Sequence, residues 1–382
     1  MRMSPPAAAT PRRILLVADC IGGVWQYSLE LARGLAAHGV ATVLAVAGPP
    51  PSPSQRDEAE AVEGLRIRVL ETALDWVEGG AKSCVELRKR VVGLARAERV
   101  DVVHLSGAAL GDLALQQPVV ATQHSCLATW WQAMRPDAPL PDEWQWHRAR
   151  TASGLRAADA VIAPSAAFAA QLQRVYGSDL VLDVIHNGRT FKCFRREPRR
   201  QAVVMTAGRL WDEAKNLRAL DAAADGLSWP VLAAGPMRGP DDQAVVLQHI
   251  FPLGGLGTCA LRRRLSSAAI FVSLAAYEPF GLAVLEAALS GCALVLSDIP
   301  TFRELWGEAA LFCPPHDAAA ARALLDRLIA NRDLRRRLAE AALGRAHRYT
   351  AEACAAGTLA VYGRVLAGST RRCGERALPA AG

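Results

Sequence analysis

The sequence predicts an α/β protein of two doubly wound parallel-sheet domains. Three observations carry this: a length of 382 residues, short apolar runs ending in small residues, and longer helical patterns that alternate with those runs. A chain of this length exceeds what one hydrophobic core supports, so size alone argues for two domains. Strand-length apolar runs alternating with amphipathic helices mark βαβ units, which build parallel sheets covered on both faces. With 51% apolar and 21% charged residues, the chain has the composition of a folded protein rather than a disordered one.

In the first half, strands are predicted at 14–18, 42–47, 66–70, 102–105, 119–122 and 160–163. An amphipathic helix from Trp25 to Ala37 lies between the first two and is stopped by His38-Gly39. Residues 187–201 combine turn residues, a run of Arg and one Pro without periodicity, which marks an interdomain linker. A second βα series follows, with strands at 203–207, 230–234, 269–274, 293–297 and 310–312. Residues 324–345 form one helical pattern and 351–366 another, and the tail after Ser369 has no core-forming pattern. The expected domains are 1–190 and 191–350. In the expected third part, 351–382, a helix packs back toward the first domain and a tail follows.

Forty-four Lys and Arg against 37 Asp and Glu give a formal charge of +7, which favours anionic partners. The basic clusters, Arg195, Arg196, Arg199 and Arg200, and Arg262 to Arg264, are not interleaved with aromatics. They are expected in the linker and on a helix face, so nucleic acid is not an expected partner. The nine Cys show no C-x-x-C pair and no ligand spacing with His, which points to free thiols in a reducing compartment. Residues 1–13 are rich in Pro and Ala, and the apolar run 14–18 is too short for the core of a signal peptide. No stretch has the roughly 18 apolar residues of a membrane span. A cytoplasmic location is expected. The basic balance leaves room for peripheral contact with a membrane face, and no pattern speaks to oligomeric state.

Gly22 and Gly23 sit between the first strand and the first helix, where glycine permits a tight turn and brings backbone amides close to an anion. A tight turn without a ligand uses the same pair. The G-x-G-x-x-G fingerprint is absent, and no acidic residue closes the second strand, so a dinucleotide site is excluded. The second half is richer. Its first strand ends in Ala207-Gly208-Arg209-Leu210, and Lys215 follows six residues after the Arg. A guanidinium and an ammonium at a strand's carboxyl end suit a diphosphate, although solvated loop charges have the same pattern.

Further on, Glu278-Pro279-Phe280-Gly281-Leu282 leads into an apolar helix that carries Glu286. Pro279 is expected near the first turn, where its missing N–H is harmless, and Gly281 leaves amides accessible at the positive helix end. A phosphate fits there. Glu286, flanked by Leu285, Ala287 and Ala288, is expected two turns deeper, and a carboxylate in such surroundings needs partners.

Arg209, Lys215 and the Glu278-x7-Glu286 pair resemble the retaining glycosyltransferases of family 4. The likeness extends from Gly22-Gly23 through 160–165 and the Val184-Ile185-His186-Asn187-Gly188 hinge to Ser297-Asp298-Ile299-Pro300. The Glu pair around Pro-Phe-Gly is its specific part. The resemblance implies the GT-B fold, two Rossmann-like domains facing each other across a cleft. It implies Arg209 and Lys215 as diphosphate cations, Glu278 on the hydroxyls of the donor sugar and Glu286 on the ribose. The amides near Phe280, Gly281 and Leu282 would cradle the phosphates, and Gly23 would approach from across the cleft. His124, just after a strand, stands where the family has a His near the sugar. Where the family has Pro before the hinge Asn, this chain has His186.

The implied activity is retaining transfer from a nucleoside-diphosphate sugar to a glycan, lipid-linked or small-molecule acceptor, in polysaccharide or glycoconjugate synthesis. Retention is by same-face substitution assisted by the leaving phosphate. The donor is a substrate, and no separate cofactor is expected. No Asp-x-Asp pair is placed for a metal at the phosphates, so metal independence is expected. A sugar-nucleotide epimerase would need acid–base residues around the sugar, and a non-catalytic nucleotide-sugar binder would not need the intact Arg, Lys and Glu set. The acceptor is expected against loops such as 123–136, whose Trp130-Trp131 pair either stacks on a ligand or packs.

Overall fold

The computed structural model describes residues 10–77, 79–190, 200–240 and 242–376, with side chains to residue 369. The expected boundary at 190/191, most of the expected linker, Arg195, Arg196, Arg199 and the chain ends fall outside the described residues. The first sheet contains β1 (Arg13–Asp19), β2 (Ala41–Ala47), β3 (Leu65–Val69), β4 (Val102–Leu105), β5 (Val119–Thr122), β6 (Ala160–Ala163) and β7 (Asp183–Val184), in the order β3-β2-β1-β4-β5-β6-β7. The second contains β8 (Gln201–Ala207), β9 (Val231–Ala234), β10 (Ile250–Pro252), β11 (Ala268–Ser273), β12 (Ala293–Ser297) and β13 (Ala310–Cys313), ordered β10-β9-β8-β11-β12-β13. Every strand pair is parallel. Both domains are therefore doubly wound, and the strand order reverses between β1 and β4 in one sheet and between β8 and β11 in the other. Crevices at such reversals, beyond the carboxyl ends of the strands, are where open α/β sheets bind ligands.

Parallel strands covered on both faces need apolar residues on both, and β1 illustrates this: Leu15 and Val17 face one core while Ile14, Leu16 and Ala18 face the other. The short strands β7 and β10 have too few apolar residues to be visible in the sequence. Residues 324–345 are two helices, not one. Ala318–Ala330 ends at Asn331, which leaves helical geometry, and its side chain accepts the Leu334 amide to start Arg332–Ala346. The seven described cysteines are free thiols, and no helix among the described residues is long and apolar enough to cross a membrane.

The last helix, Ala351–Arg376, joins the core of the first sheet. Cys354, Ala355, Val361, Tyr362 and Val365 pack with Leu31 and Leu35 of helix Gly23–Ala36. The chain returns past the hinge so closely that a Cβ on Gly188 would stand 2.0 Å from the Thr350 carbonyl oxygen. Arg200, expected in the linker, instead donates to the carbonyls of Ala268 and Ser290 at the second sheet.

Candidate functional site between the sheets

The two strand-order reversals face each other. Gly22 caps helix Gly23–Ala36, and a Cβ built on it would lie 3.7 Å from Cδ of Arg209; one on Gly23 would lie 3.3 Å from Cδ1 of Leu282. The glycine turn of the first domain thus closes directly on Arg209 and the helix start of the second. Other contacts tie the halves together. The Tyr277 hydroxyl hydrogen-bonds with those of Ser125 and Thr129 at 3.0 and 2.8 Å, and Ser165 Oγ donates to the Pro279 carbonyl. Glu304 accepts the amides of Ala166 and Ala167 at the start of helix Ala166–Tyr176. Burial works to raise the Glu304 carboxyl, but the His186 contact and these amides hold it below its ordinary range.

At the end of β8, Arg209 lies 2.7 Å from Asp212 Oδ2 and over the Trp211 ring. Burial pushes the Asp212 carboxyl up, and the charges of Arg209 and Lys215 with the Ala214 amide outweigh it, so Asp212 stays ionised. Lys215 Nζ lies 2.6 Å from Glu278 Oε2, which joins two predicted site residues at the second sheet's reversal. Helix Leu282–Leu289 starts from Gly281 at φ 93°, a left-handed geometry that favours glycine. The helix therefore begins later than the sequence suggests: Pro279 lies before the cap, and Glu286 is about one turn into the helix. The first amides of this helix have no acceptor within it and point to the cleft end. Phe280 contributes no side chain to the site, being buried against Tyr349 and His186.

Glu286 does need a partner, and sequence reading missed which one. Its Oε1 lies 2.5 Å from Arg189 NH2, and NH1 of the same Arg lies 3.0 Å from Glu30 Oε1 and 2.8 Å from Gln26 Oε1. The side chains of Arg189, Glu30 and Glu286 are 2%, 4% and 9% exposed, so this is a buried cluster joining the first helix, the hinge and the second domain. Glu30 occupies an apolar helix face, the one sequence signal that could have exposed it.

His124, partly exposed toward the cleft, stacks edge-on against Tyr27 at 4.2 Å. Its Nε2 is buried and has no hydrogen-bond partner among the described residues. His104 behaves as a structural residue, fully buried between Tyr362 and Thr122. Desolvation lowers both imidazoles to about 3, so both are neutral at pH 7. The sign of the resulting pH dependence follows. An unfolded His takes a proton below about pH 6.5, while these do not until about 3, so unfolding takes up protons in that window and stability falls with falling pH. His104 alone is expected to cost about 1 kcal/mol of stability between pH 7 and 5.5, and His124 up to as much again. Urea unfolding at the two pH values checks this; a flat profile, or an imidazole titrating near its ordinary pKa by NMR, contradicts it.

A cavity of about 900 Å³ occupies the cleft, with His124, Arg209 and the tryptophans Trp130 and Trp131 in its wall. Those two do not lie on a loop: residues Leu127–Met134 are helical. Glu278 borders a smaller cavity of about 330 Å³ with Tyr277 and Pro300. Gly22, Gly23, Lys215, Phe280, Gly281, Leu282 and Glu286 line neither. Among the described residues, no group of three or more His, Cys, Asp or Glu is placed to hold a metal ion.

Residues 21–190 match the family Glycosyltransferase Family 4, and residues 195–345 match Glycosyl transferases group 1. A glycogen synthase of Mycobacterium tuberculosis is 29% identical over 368 residues, covering 82% of this chain and 86% of that protein. Among solved structures, sucrose-phosphate synthase (tll1590) from Thermosynechococcus elongatus superposes with a TM-score of 0.78 at 19% identity, over 94% of this chain and all of that one. Anabaena Alr3699/HepE in complex with UDP and glucose gives 0.69 at 16% identity, over 94% and 99%. WaaG, a glycosyltransferase involved in lipopolysaccharide biosynthesis, gives 0.71 at 11%, over 92% and 99%. These likenesses establish the GT-B fold expected from the sequence.

Proposed function

The chain belongs to glycosyltransferase family 4 and is a glycosyltransferase, and on that premise we propose that it moves a hexosyl group from a nucleoside-diphosphate sugar to an acceptor hydroxyl, retaining anomeric configuration and using no bound metal. The observation that carries the reading is the meeting of the two sheet reversals, which sets Arg209 and the start of helix Leu282–Leu289 opposite the Gly22-Gly23 turn, with Lys215 paired to Glu278 in the same domain. A diphosphate seated there meets two cations and unpaired helix amides, which stabilise charge as it builds on the leaving group. Glu278, fixed by Lys215, presents its second oxygen to donor-sugar hydroxyls. Glu286 takes the ribose hydroxyls, exchanging part of its bond to Arg189.

In the transfer step the bond from the anomeric carbon to the diphosphate oxygen breaks as the acceptor oxygen bonds to the same face. The departing phosphate oxygen takes the acceptor's proton, so no side chain must act as covalent nucleophile. The positive charge at the phosphates comes from Arg209 and Lys215. The interdomain contacts at Tyr277, Ser165 and Glu304 hold the cleft shut and limit hydrolysis of the donor. The acceptor is a glycan, lipid-linked or small-molecule hydroxyl, and the named relative, a glycogen synthase, supports a role in polysaccharide or glycoconjugate synthesis.

The test is a thermal-shift screen against nucleoside diphosphates and their sugars, with and without chelator, on wild type and Glu286→Ala. We expect one nucleotide family to stabilise the protein, chelator to make no difference and the variant to respond less. Absence of any shift would overturn the donor site; a shift that disappears with chelator would overturn metal independence.

A further inference from the structure

The cavity in the cleft is built unevenly. Five of the nine tryptophans in the chain, Trp76, Trp130, Trp131, Trp144 and Trp211, line it, together with aliphatic side chains such as Leu74, Leu110, Leu140 and Met134. Trp76 from the first domain and Trp211 from the second stack across the cleft, with ring centres 6.4 Å apart and planes 19° apart. Trp130 and Trp131, ring centres 6.4 Å apart, lie in the wall of the same cavity.

Many polar side chains in this wall are committed to one another. Gln123 accepts the Ala108 amide and donates to the Ser125 carbonyl, and Asn216 donates to the carbonyls of Leu274 and Pro315. His147 pairs with Asp75 at 3.0 Å, Arg135 with Glu213 at 2.7 Å and Arg209 with Asp212. Besides Arg218 and His316 on the second-domain side, three polar groups with capacity left gather at one end. Asp19 ends β1, Ser106 follows β4 and His124 follows β5, and these three strands are neighbours in the sheet. Ser106 Oγ and His124 Nε2 are both buried with no partner among the described residues. Burial raises the Asp19 carboxyl, against the Ile21 amide and the charge of Arg209.

We propose that the acceptor is a compact amphiphile, a hydroxylated molecule with a flat apolar body, whose hydroxyl-bearing end meets Asp19, Ser106 and His124 and whose body lies against the indole faces of Trp76, Trp130, Trp131 and Trp211. This narrows the acceptor of the proposed transfer and rests on that reading. A buried polar atom left unpaired is unfavourable, so a hydroxyl that reaches Ser106 and His124 after a small side-chain rotation removes two such costs. A glycan chain fits less well, because it carries hydroxyls along its whole length and the indole and aliphatic wall offers them few partners. A long lipid tail fits less well too. At about 900 Å³ the cavity has the size of small-molecule sites, and the Trp76–Trp211 stack and the Arg135–Glu213 pair bridge its two walls.

The test has a binding arm and a transfer arm. In the first, tryptophan emission of the full-length protein is followed on titration with a hydroxycoumarin, a hydroxyflavone, maltotetraose and vesicles carrying polyprenyl phosphate. The second uses the same four as acceptors with the donor found by thermal shift. The expected result is that the two aromatic alcohols quench emission and are glycosylated. Trp76→Ala should raise their KM by about tenfold, consistent with loss of an aromatic contact, and Trp76→Phe should recover most of it at an equal melting temperature. Maltotetraose or the vesicles serving as acceptor while the aromatic alcohols neither bind nor react would overturn the proposal, as would a KM indifferent to Trp76→Ala. Quenching by the aromatic alcohols in a protein that binds no nucleotide would uphold the pocket and defeat the donor reading instead, which keeps the two failures apart.

Discussion

Arg189→Ala is expected to lower the stability of the protein by about 3–5 kcal/mol, because removing one partner of a buried ion cluster leaves the others charged and uncompensated. The cluster is asymmetric. Arg189 is its centre, with Glu30 on one side and Glu286 on the other, and all three side chains are nearly inaccessible. Arg33 reaches the other oxygen of Glu30 from the surface at 3.0 Å, and Arg262 lies in the same field, its guanidinium depressed first by burial and then by the Arg189 charge. Those cations place the expected loss toward the lower part of the range. At 2–4 °C per kcal/mol for domains of about 150–250 residues, the midpoint of thermal unfolding should drop by about 10 °C. Arg189→Met combined with Glu30→Gln and Glu286→Gln should recover much of this, since neutral groups of similar volume leave no buried charge behind. A drop of only a degree or two in Arg189→Ala would mean that water or Arg262 compensates the carboxylates and that the cluster does not hold the hinge to the second domain.

That cluster also marks the limit of what the sequence could disclose. The parallel sheets were legible because their strands are apolar on both faces, and β4, β5, β6 and β12 fall where the apolar runs place them. Lys215 and Glu278 were each legible as site candidates after strands of one domain, but their contact was not, because it depends on β8 and β11 lying side by side. Arg189 was not, because its meaning depends on Glu30, 159 positions earlier, and on Glu286, far later, and a linker Arg looks like any solvated cation until the chain is folded. Glu30 was the available clue: a carboxylate on the buried face of an amphipathic helix is unstable without a cation. The break at Asn331 was hidden for a different reason. Apolar periodicity runs through it, and only the local competition of the Asn side chain for the Leu334 amide separates two helices from one. The aromatic cavity needs both domains, since Trp76 and Trp211 lie in different halves of the chain, and neither shows a partner until the reversals of the two sheets face each other.

The second large effect concerns rate. If Lys215 neutralises the departing diphosphate, Lys215→Ala should lower kcat by about 10²–10³, the scale measured when one group aimed at developing charge is removed. The structure gives a reason to expect the upper end. Lys215 Nζ stands 2.6 Å from Glu278 Oε2, so the substitution removes a cation and also frees a carboxylate beside the phosphates, where it repels the charge that builds there. Arg209 cannot fully substitute, because its guanidinium is already shared with Asp212, which is itself held ionised by the two neighbouring cations. Lys215→Arg should restore only part of the rate, since a planar fork does not reproduce a compact ammonium that touches one carboxylate oxygen. Steady-state kinetics with the native donor separate the roles. An equal fall in kcat and kcat/KM identifies an interaction made in the transition state, whereas a rise in donor KM at constant kcat would reduce Lys215 to a binding residue. Adding Glu278→Gln to Lys215→Ala then measures the repulsion directly: if the freed carboxylate opposes departure of the diphosphate, the double variant loses less than the product of the two single losses.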